Sequence, residues 1–166
     1  MTKNGVRLLL LGAVKTGGSG CFCPESALLK TLMTHLLLGK TDVLIMDMDA
    51  GVEHMSRGTT ESVDAFIIVV EPGKRSIQTA ETIRKLALDL GIKKSYIVGN
   101  KITSDQDKQF IIDNTKDFEV LGFIKIDPDV RLADLKGMSA FDNAPQVMDE
   151  IKTIKNRIEQ ISRENS

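Results

Sequence analysis

The sequence has only two cysteines, no long apolar run and almost no net charge. No apolar run reaches about 18 residues, the length that a membrane-spanning helix needs. A formal net charge of −1 argues against a general nucleic-acid-binding surface. No signal peptide is recognisable, because a strand-like run follows Met1 within a few residues. These absences predict a cytoplasmic protein that binds neither nucleic acid nor a membrane.

Apolar runs typical of buried strands alternate with segments of helical spacing. In 166 residues, of which 42% are hydrophobic, there is room for one domain, 1–166, with its own core. The strand-like runs are 6–11, 42–46, 65–70, 96–98 and 120–124. The helical segments are 28–37, 76–90 with Ser76 as the capping residue, 105–114, a turn at 131–135, and 145–161. This alternation predicts an α/β fold: a mostly parallel sheet with helices on both faces, as in three-layer Rossmann-like folds.

Both cysteines lie in one glycine-rich segment, Gly17–Pro24, which leads into a predicted helix. Thiolates are soft metal ligands, and two of them at positions i and i+2 can bind the same ion. A closed site of the zinc type has four ligands, so the simplest completion is the same pair from a second copy. The pattern therefore predicts a site for one soft metal ion at Cys21 and Cys23 of a homodimer. Inert or redox-active thiols, or a strained disulfide, are the alternatives.

Two further segments end predicted strands with polar side chains. Asp47 follows the run 42–46, as the acidic residue of a Walker B element does, where it helps to hold Mg²⁺. Asn100 and Lys101 begin a segment similar to the guanine-reading NKxD motif of GTPases. Thr103 replaces the aspartate that binds guanine, although an asparagine amide can still pair with adenine. Turn formation is the alternative role for Asp47 and for Asn100.

A phosphate-binding loop is missing from the sequence. The loop needs the pattern G-x-x-x-x-G-K-[ST], in which the lysine contacts the β- and γ-phosphates. Gly12 and Gly17 have the required spacing, but Gly18 stands where the lysine belongs. The chain as given therefore has no evident means of holding a triphosphate.

Taken together, five segments resemble the CooC family, the accessory ATPases that insert nickel into carbon monoxide dehydrogenase and belong to the MinD-like P-loop group. The segments are Gly12–Lys15, Gly17–Glu25, Asp47–His54, Glu71–Pro72 and Gly99–Lys101. The resemblance extends over almost the whole chain. It implies that 1–166 corresponds to the carboxyl-terminal two-thirds of a P-loop ATPase fold, without the phosphate loop.

The resemblance also implies roles for individual residues. Cys21 and Cys23 would form a dimer interface that binds nickel or zinc, and Asp47 would be the catalytic acid linked to Mg²⁺. Asn100 would contact the adenine of Mg-ATP or Mg-ADP, with the segment after Pro128 along the base, and Lys101 would also belong to the nucleotide site. Carbon monoxide dehydrogenase would be the partner. Hydrolysis of ATP would require that the missing phosphate loop be supplied elsewhere, for example by a separate chain, so we expect residues 1–166 alone to be inactive.

Two other functions are compatible with the sequence. The first is a catalytically silent dimer that only binds metal. The second is a MinD- or ParA-like positioning protein, which would need a basic amphipathic tail. The last helix instead mixes acidic residues among its basic ones, which favours a solvated face. Loss of a strand–helix unit would also leave sheet edges open. We therefore expect self-association, or pairing with a separate amino-terminal protein.

Overall fold

The computed structural model describes residues 2–3, 6–8, 42–47 and 63–164. Its strands are β1 Thr2–Lys3, β2 Val6–Arg7, β3 Phe66–Val70, β4 Ser95–Ile102 and β5 Glu119–Lys125. Its helices are α1 Lys74–Asp89, α2 Asp105–Asn114, α3 Pro128–Leu135, α4 Ala140–Asn143 and α5 Pro145–Glu164. From β3 onward, helices connect successive strands, as the alternating pattern predicts.

Strands β3, β4 and β5 form one parallel sheet in the order β3-β4-β5. Parallel neighbours need a crossover connection, and α1 and α2 supply it. These two helices cover one face of the sheet, where Ile68 and Ile97 pack with Ile77 of α1 and Ile111 of α2. The predicted α/β class is thus confirmed in this part of the chain.

Helix α5 covers the opposite face of the sheet. Its residues Ile154 and Ile161 pack against Tyr96 and Val98 of β4 and Leu121 of β5. Ile154 and Ile161 are seven residues, or two helical turns, apart and so lie on the same side of the helix. Helices on both faces give the three layers that the sequence predicts.

The described part of the first apolar run does not form a buried parallel strand, so this prediction is wrong. Strand β2 pairs antiparallel with β1, and Val6 and Leu8 are each 66% exposed. The two short strands are separated by Asn4-Gly5, the dipeptide most typical of a two-residue hairpin turn. A local turn signal therefore competes with the apolar run. The rest of the run, 9–11, lies outside the described residues.

The prediction of a buried strand at 42–46 is also wrong. Residues 42–47 have no regular secondary structure, and Val43 and Ile45 are 82% and 84% exposed. Strand propensity largely reflects packing against neighbouring strands and burial on a pleated surface. None of the described strands pairs with this segment. An apolar composition alone was therefore not enough to place it in the sheet.

Helix α1 begins earlier than its predicted cap. Gly73 is the N-cap residue, and Ser76 lies in the first turn, where its hydroxyl oxygen accepts a hydrogen bond from the Glu71 N–H at 3.0 Å. Ser76 thus stabilises the turn that joins β3 to α1. Gly91 follows the helix with φ +89°, the left-handed conformation that commonly ends helices. The predicted end of this helix is therefore confirmed.

Strand β3 is an edge strand of the described sheet. It pairs with β4 on one side only, and the side chains of Ile67 and Val69 remain exposed. An edge of this kind presents unpaired backbone groups next to apolar side chains. Our expectation that the chain covers such an edge by association stays a prediction.

Candidate functional site

The carboxyl ends of the three parallel strands bring the predicted nucleotide residues to one edge of the sheet. Val70 pairs with Gly99 in the register of β3 and β4, so Glu71 lies beside Asn100. Ile102 at the end of β4 pairs with Lys125 at the end of β5. Ligands of open α/β sheets bind at this edge. We therefore take it as the candidate site.

Asn100 and Lys101 lie within β4 rather than after it, but they interrupt its pairing with β5. From Gly99 to Ile102 strand β4 advances three residues, whereas β5 advances two from Phe123 to Lys125. Strand β4 therefore carries one extra residue here, as in a β-bulge. Bulges redirect side chains and often occur next to active sites.

Lys101 has an unusual backbone conformation, with φ +55°. A residue with a Cβ atom pays roughly 1–2 kcal/mol in this left-handed region. Its Nζ atom lies 2.6 Å from Oε1 of Glu71, an ion pair in which both side chains are about half exposed. This contact joins the end of β3 to the bulge of β4.

The side-chain amide of Asn100 is hydrogen-bonded to the backbone of the next residue, Lys101. Its Oδ1 atom accepts a hydrogen bond from the Lys101 N–H at 2.9 Å. Its Nδ2 group has no protein partner among the described residues and is available as a donor. The ring nitrogens of a purine are acceptors, so this group can donate to a base. The orientation of the amide is thus fixed before any ligand binds.

Thr103 has a structural role at the start of α2. The Thr103 N–H and Ser104 N–H both donate to Oδ2 of Asp107, at 2.8 Å and 3.1 Å. The Ser104 hydroxyl accepts in return from the Asp107 N–H, which completes a capping box at the start of α2. The hydrogen bond from the Thr103 side chain is the main reason that the pKa of Asp107 is lowered. Asp107 is therefore an ionised cap.

We expect Asp107→Asn to lower the thermal unfolding midpoint at neutral pH and to have little effect in acid. Because folding lowers the pKa of this carboxyl group, its contribution to stability is present above the unfolded-state pKa of about 3.9. That contribution is lost as the pH falls through the folded-state pKa. Unfolding midpoints of both proteins measured from neutral to acidic pH test this prediction.

Asp134→Asn is the matched control for this series, because the exposed Asp134 side chain makes no hydrogen bond or ion pair within the described residues. It should leave the pH profile of the wild type unchanged. The assignment of Asp107 as an ionised cap would be contradicted if Asp107→Asn lowered the unfolding midpoint by the same amount at neutral and at acidic pH.

Pro128 stands at the first position of α3, next to the same sheet edge. The Asp127 side chain caps this helix by accepting from the Asp129 N–H at 2.8 Å, and Pro128 is exposed. A cavity of about 160 Å³ lies beside α3 and α4; its lining residues are Asp129, Leu132, Ala133, Lys136, Met138 and Asn143. It includes neither Asn100 nor Lys101 and is smaller than the sites that bind drug-sized ligands. The assignment of Asn100, Lys101 and Pro128 to a nucleotide site therefore stays a prediction.

The remaining predicted site residues are not brought to this edge by the described structure. Asp47 is exposed and makes no hydrogen bond or ion pair to Asn100 or Lys101. Cys21 and Cys23 lie outside the described residues. Within the described ranges, no group of three or more histidine, cysteine, aspartate or glutamate side chains could hold a metal ion. The proposed metal site therefore stays a prediction from the sequence.

No protein-family model matches the chain, but individual proteins do. It is 47% identical over 146 residues to the carbon monoxide dehydrogenase accessory protein CooC of Rhodospirillum rubrum, a match that covers 88% of this chain. The chain is a CooC homologue. It is also 43% identical over 135 residues to an uncharacterised ATP-binding protein of Methanocaldococcus jannaschii, over 80% of its length. The predicted resemblance to CooC proteins is thereby confirmed.

The chain spans about half the length of the curated relatives that it matches. It covers 56% of the Rhodospirillum CooC protein and 52% of the Methanocaldococcus protein. Among solved structures, MinD of Aquifex aeolicus matches with a TM-score of 0.55 and 20% identity, over 66% of this chain and 50% of MinD. This likeness supports the MinD-like α/β fold and no more.

Three residues that organise the site were not predicted for these roles. Glu71 pairs with Lys101, Asp107 caps α2, and Asp127 caps α3. The two caps have sequence signals, since Ser104 stands three residues before Asp107 and Asp127 precedes Pro128. Glu71 has no such signal, because its pairing depends on the register of β3 against β4.

Proposed function

We propose that the chain is a maturation factor for carbon monoxide dehydrogenase that delivers nickel as a homodimer. The 47% identity to the CooC accessory protein over 88% of the chain carries this proposal. The Cys21-Phe22-Cys23 segment supports it, because two soft thiolate ligands from each of two copies complete a four-sulfur site. Nickel is then the cargo of the site, and zinc is the alternative ion.

We further propose that an adenine nucleotide binds at the carboxyl edge of the sheet. Asn100 would donate its free amide hydrogen to the base, Pro128 would lie along the base, and Asp47 would act through Mg²⁺. Bound ATP would supply the free energy for switching between conformations. The name of the Methanocaldococcus relative, an ATP-binding protein, supports this part. Residues 1–166 contain no phosphate-loop pattern, so turnover would require such a loop from outside these residues.

Reconstitution of nickel-free carbon monoxide dehydrogenase tests the maturation role. We expect limiting nickel to restore CO oxidation faster and more completely when this chain is present, because the chain would deliver the ion. If a phosphate-loop chain is supplied with Mg-ATP, activation should increase again, and Asp47→Asn should remove that increase. Activation that is the same with and without this chain would contradict the maturation role.

A catalytically silent metal-binding dimer is the second candidate. The lack of a phosphate-loop pattern in residues 1–166 favours it, because without the lysine of that loop the β- and γ-phosphates lose their main contact. In that case Cys21 and Cys23 would still bind metal, but ADP would not perturb the Asn100 amide. A titration followed by NMR distinguishes the two functions, since the nucleotide-linked function requires that perturbation.

The structure does not favour a membrane-positioning function. The apolar side of α5 packs on the sheet through Ile154 and Ile161. On its solvated side Lys155 pairs with Glu159, and Arg157 pairs with Glu119. Within the described ranges, no helix combines the length and the apolar character that crossing a bilayer requires. Helix α5 is thus used as a core helix.

A further inference from the structure

We propose that Glu71 is a positioning residue whose ion pair with Lys101 fixes the side-chain amide of Asn100 for a purine base. This inference rests on the proposed nucleotide function. Glu71 itself would not touch the nucleotide. It would act through the backbone of Lys101, whose N–H donates a hydrogen bond to Oδ1 of Asn100.

The first step of this chain of contacts is the bulge of β4. The extra residue in the interval between Gly99 and Ile102 takes Asn100 and Lys101 out of regular pairing with β5. A backbone N–H that leaves a ladder needs another acceptor. For Lys101 that acceptor is Oδ1 of Asn100, at 2.9 Å. The bulge thus provides the donor that orients the amide.

The second step is the left-handed conformation of Lys101. Left-handed φ values are uncommon for residues other than glycine and persist when surrounding contacts hold them. In this proposal the ion pair is one of the contacts that hold it, since Nζ of Lys101 lies 2.6 Å from Oε1 of Glu71. Glu71 is itself anchored, because its N–H donates to the Ser76 hydroxyl. The pair therefore ties the bulge to the start of α1.

The third step concerns Lys101 as a ligand contact. Its ammonium group is paired with Glu71, so its charge is already neutralised by a protein carboxylate. The sequence predicts that both Asn100 and Lys101 contact the nucleotide. In this proposal Asn100 therefore makes the base contact, and Lys101 has a supporting role.

Glu71→Gln tests this inference in the full chain by two measurements. NMR follows the side-chain Nδ2 signals of Asn100 in the ligand-free protein, and titration with ADP gives the dissociation constant. We expect the Asn100 signals to shift and ADP affinity to fall roughly three- to fivefold, as expected for the loss of an exposed ion pair of up to about 1 kcal/mol.

Asp149→Asn is the matched control, because Asp149 forms a comparably exposed ion pair with Lys152 at 2.8 Å on α5. It should change neither measurement. If Glu71→Gln leaves the Asn100 signals and ADP affinity unchanged while the wild type binds ADP, the positioning role is wrong and the proposed function stands. If the wild-type chain shows no perturbation at millimolar ADP, both the positioning role and the nucleotide part of the proposed function are wrong.

Discussion

Cys21→Ser is expected to abolish metal binding by the chain. A shared site of four sulfurs loses two ligands at once, because each of the two copies contributes the changed residue. Serine is not a soft ligand and stays protonated at neutral pH. The affinity should therefore fall by more than the about 10- to 100-fold that loss of an outer-shell partner costs. Elemental analysis after gel filtration, together with competition against a chromophoric chelator, measures the loss.

Two further variants make this result interpretable. Cys23→Ser should have the same effect, since both thiolates bind the same ion. Ser19→Ala changes the same loop without removing a sulfur and should retain wild-type metal content. Undiminished metal binding in Cys21→Ser would show that the ligands lie elsewhere in the chain. The same result in Cys23→Ser would exclude the two-cysteine site altogether.

Gly122→Ala adds only one methyl group, but we expect it to destabilise the fold strongly. A Cβ atom at this position of β5 would lie 2.7 Å from Cγ1 of Ile154. Ile154 is buried where α5 packs on the sheet, and Cγ1 cannot move without the rest of the side chain. Overpacking of this kind costs typically about 1–3 kcal/mol. We expect the midpoint of thermal unfolding to fall by roughly 2–4 °C for each kcal/mol.

Gly73→Ser is the control for Gly122→Ala. No atom lies within 4 Å of a Cβ built at Gly73, and serine is a favoured N-cap residue. This variant should therefore match or exceed the wild type in stability. A Gly122→Ala protein as stable as the wild type would mean that α5 does not pack on β5 as closely as described.

Helical and strand periodicity predicted the elements whose partners are close along the chain. Helix α2 was predicted with its observed bounds. The last predicted helical segment, 145–161, corresponds to α5, which packs on the sheet through Ile154 and Ile161. In these segments the apolar spacing, the turn residues and the tertiary packing all favour one structure. Such agreement is why the parallel sheet with two helical layers could be inferred from the sequence.

Two strand predictions were wrong. In one segment no described strand pairs with the apolar run, and in the other a turn signal stands next to the run. The run 42–46 has a strand-like composition, yet none of the described strands pairs with it. Around Val6, the Asn4-Gly5 turn signal competes with the apolar run that follows it. Sequence composition reports what a segment could bury, but it does not say which strand lies beside it.

The site was predictable in part for the same reason. Placing Asn100 and Pro128 at the carboxyl edge needs only the strand order, which the βαβ pattern implies. The pairing of Glu71 with Lys101 and the left-handed φ of Lys101 require the residue-level register of three strands. That register is set by packing and by the bulge, and neither has a signature in a single sequence.

Metal stoichiometry determined together with solution mass, with and without a chelator, tests the proposed two-copy metal site most directly. We expect one metal ion for every two chains and the mass of a dimer, with the metal-dependent part of that association lost when the chelator removes the ion. A chain that contains no metal, or that binds one ion as an isolated monomer, would contradict the proposal.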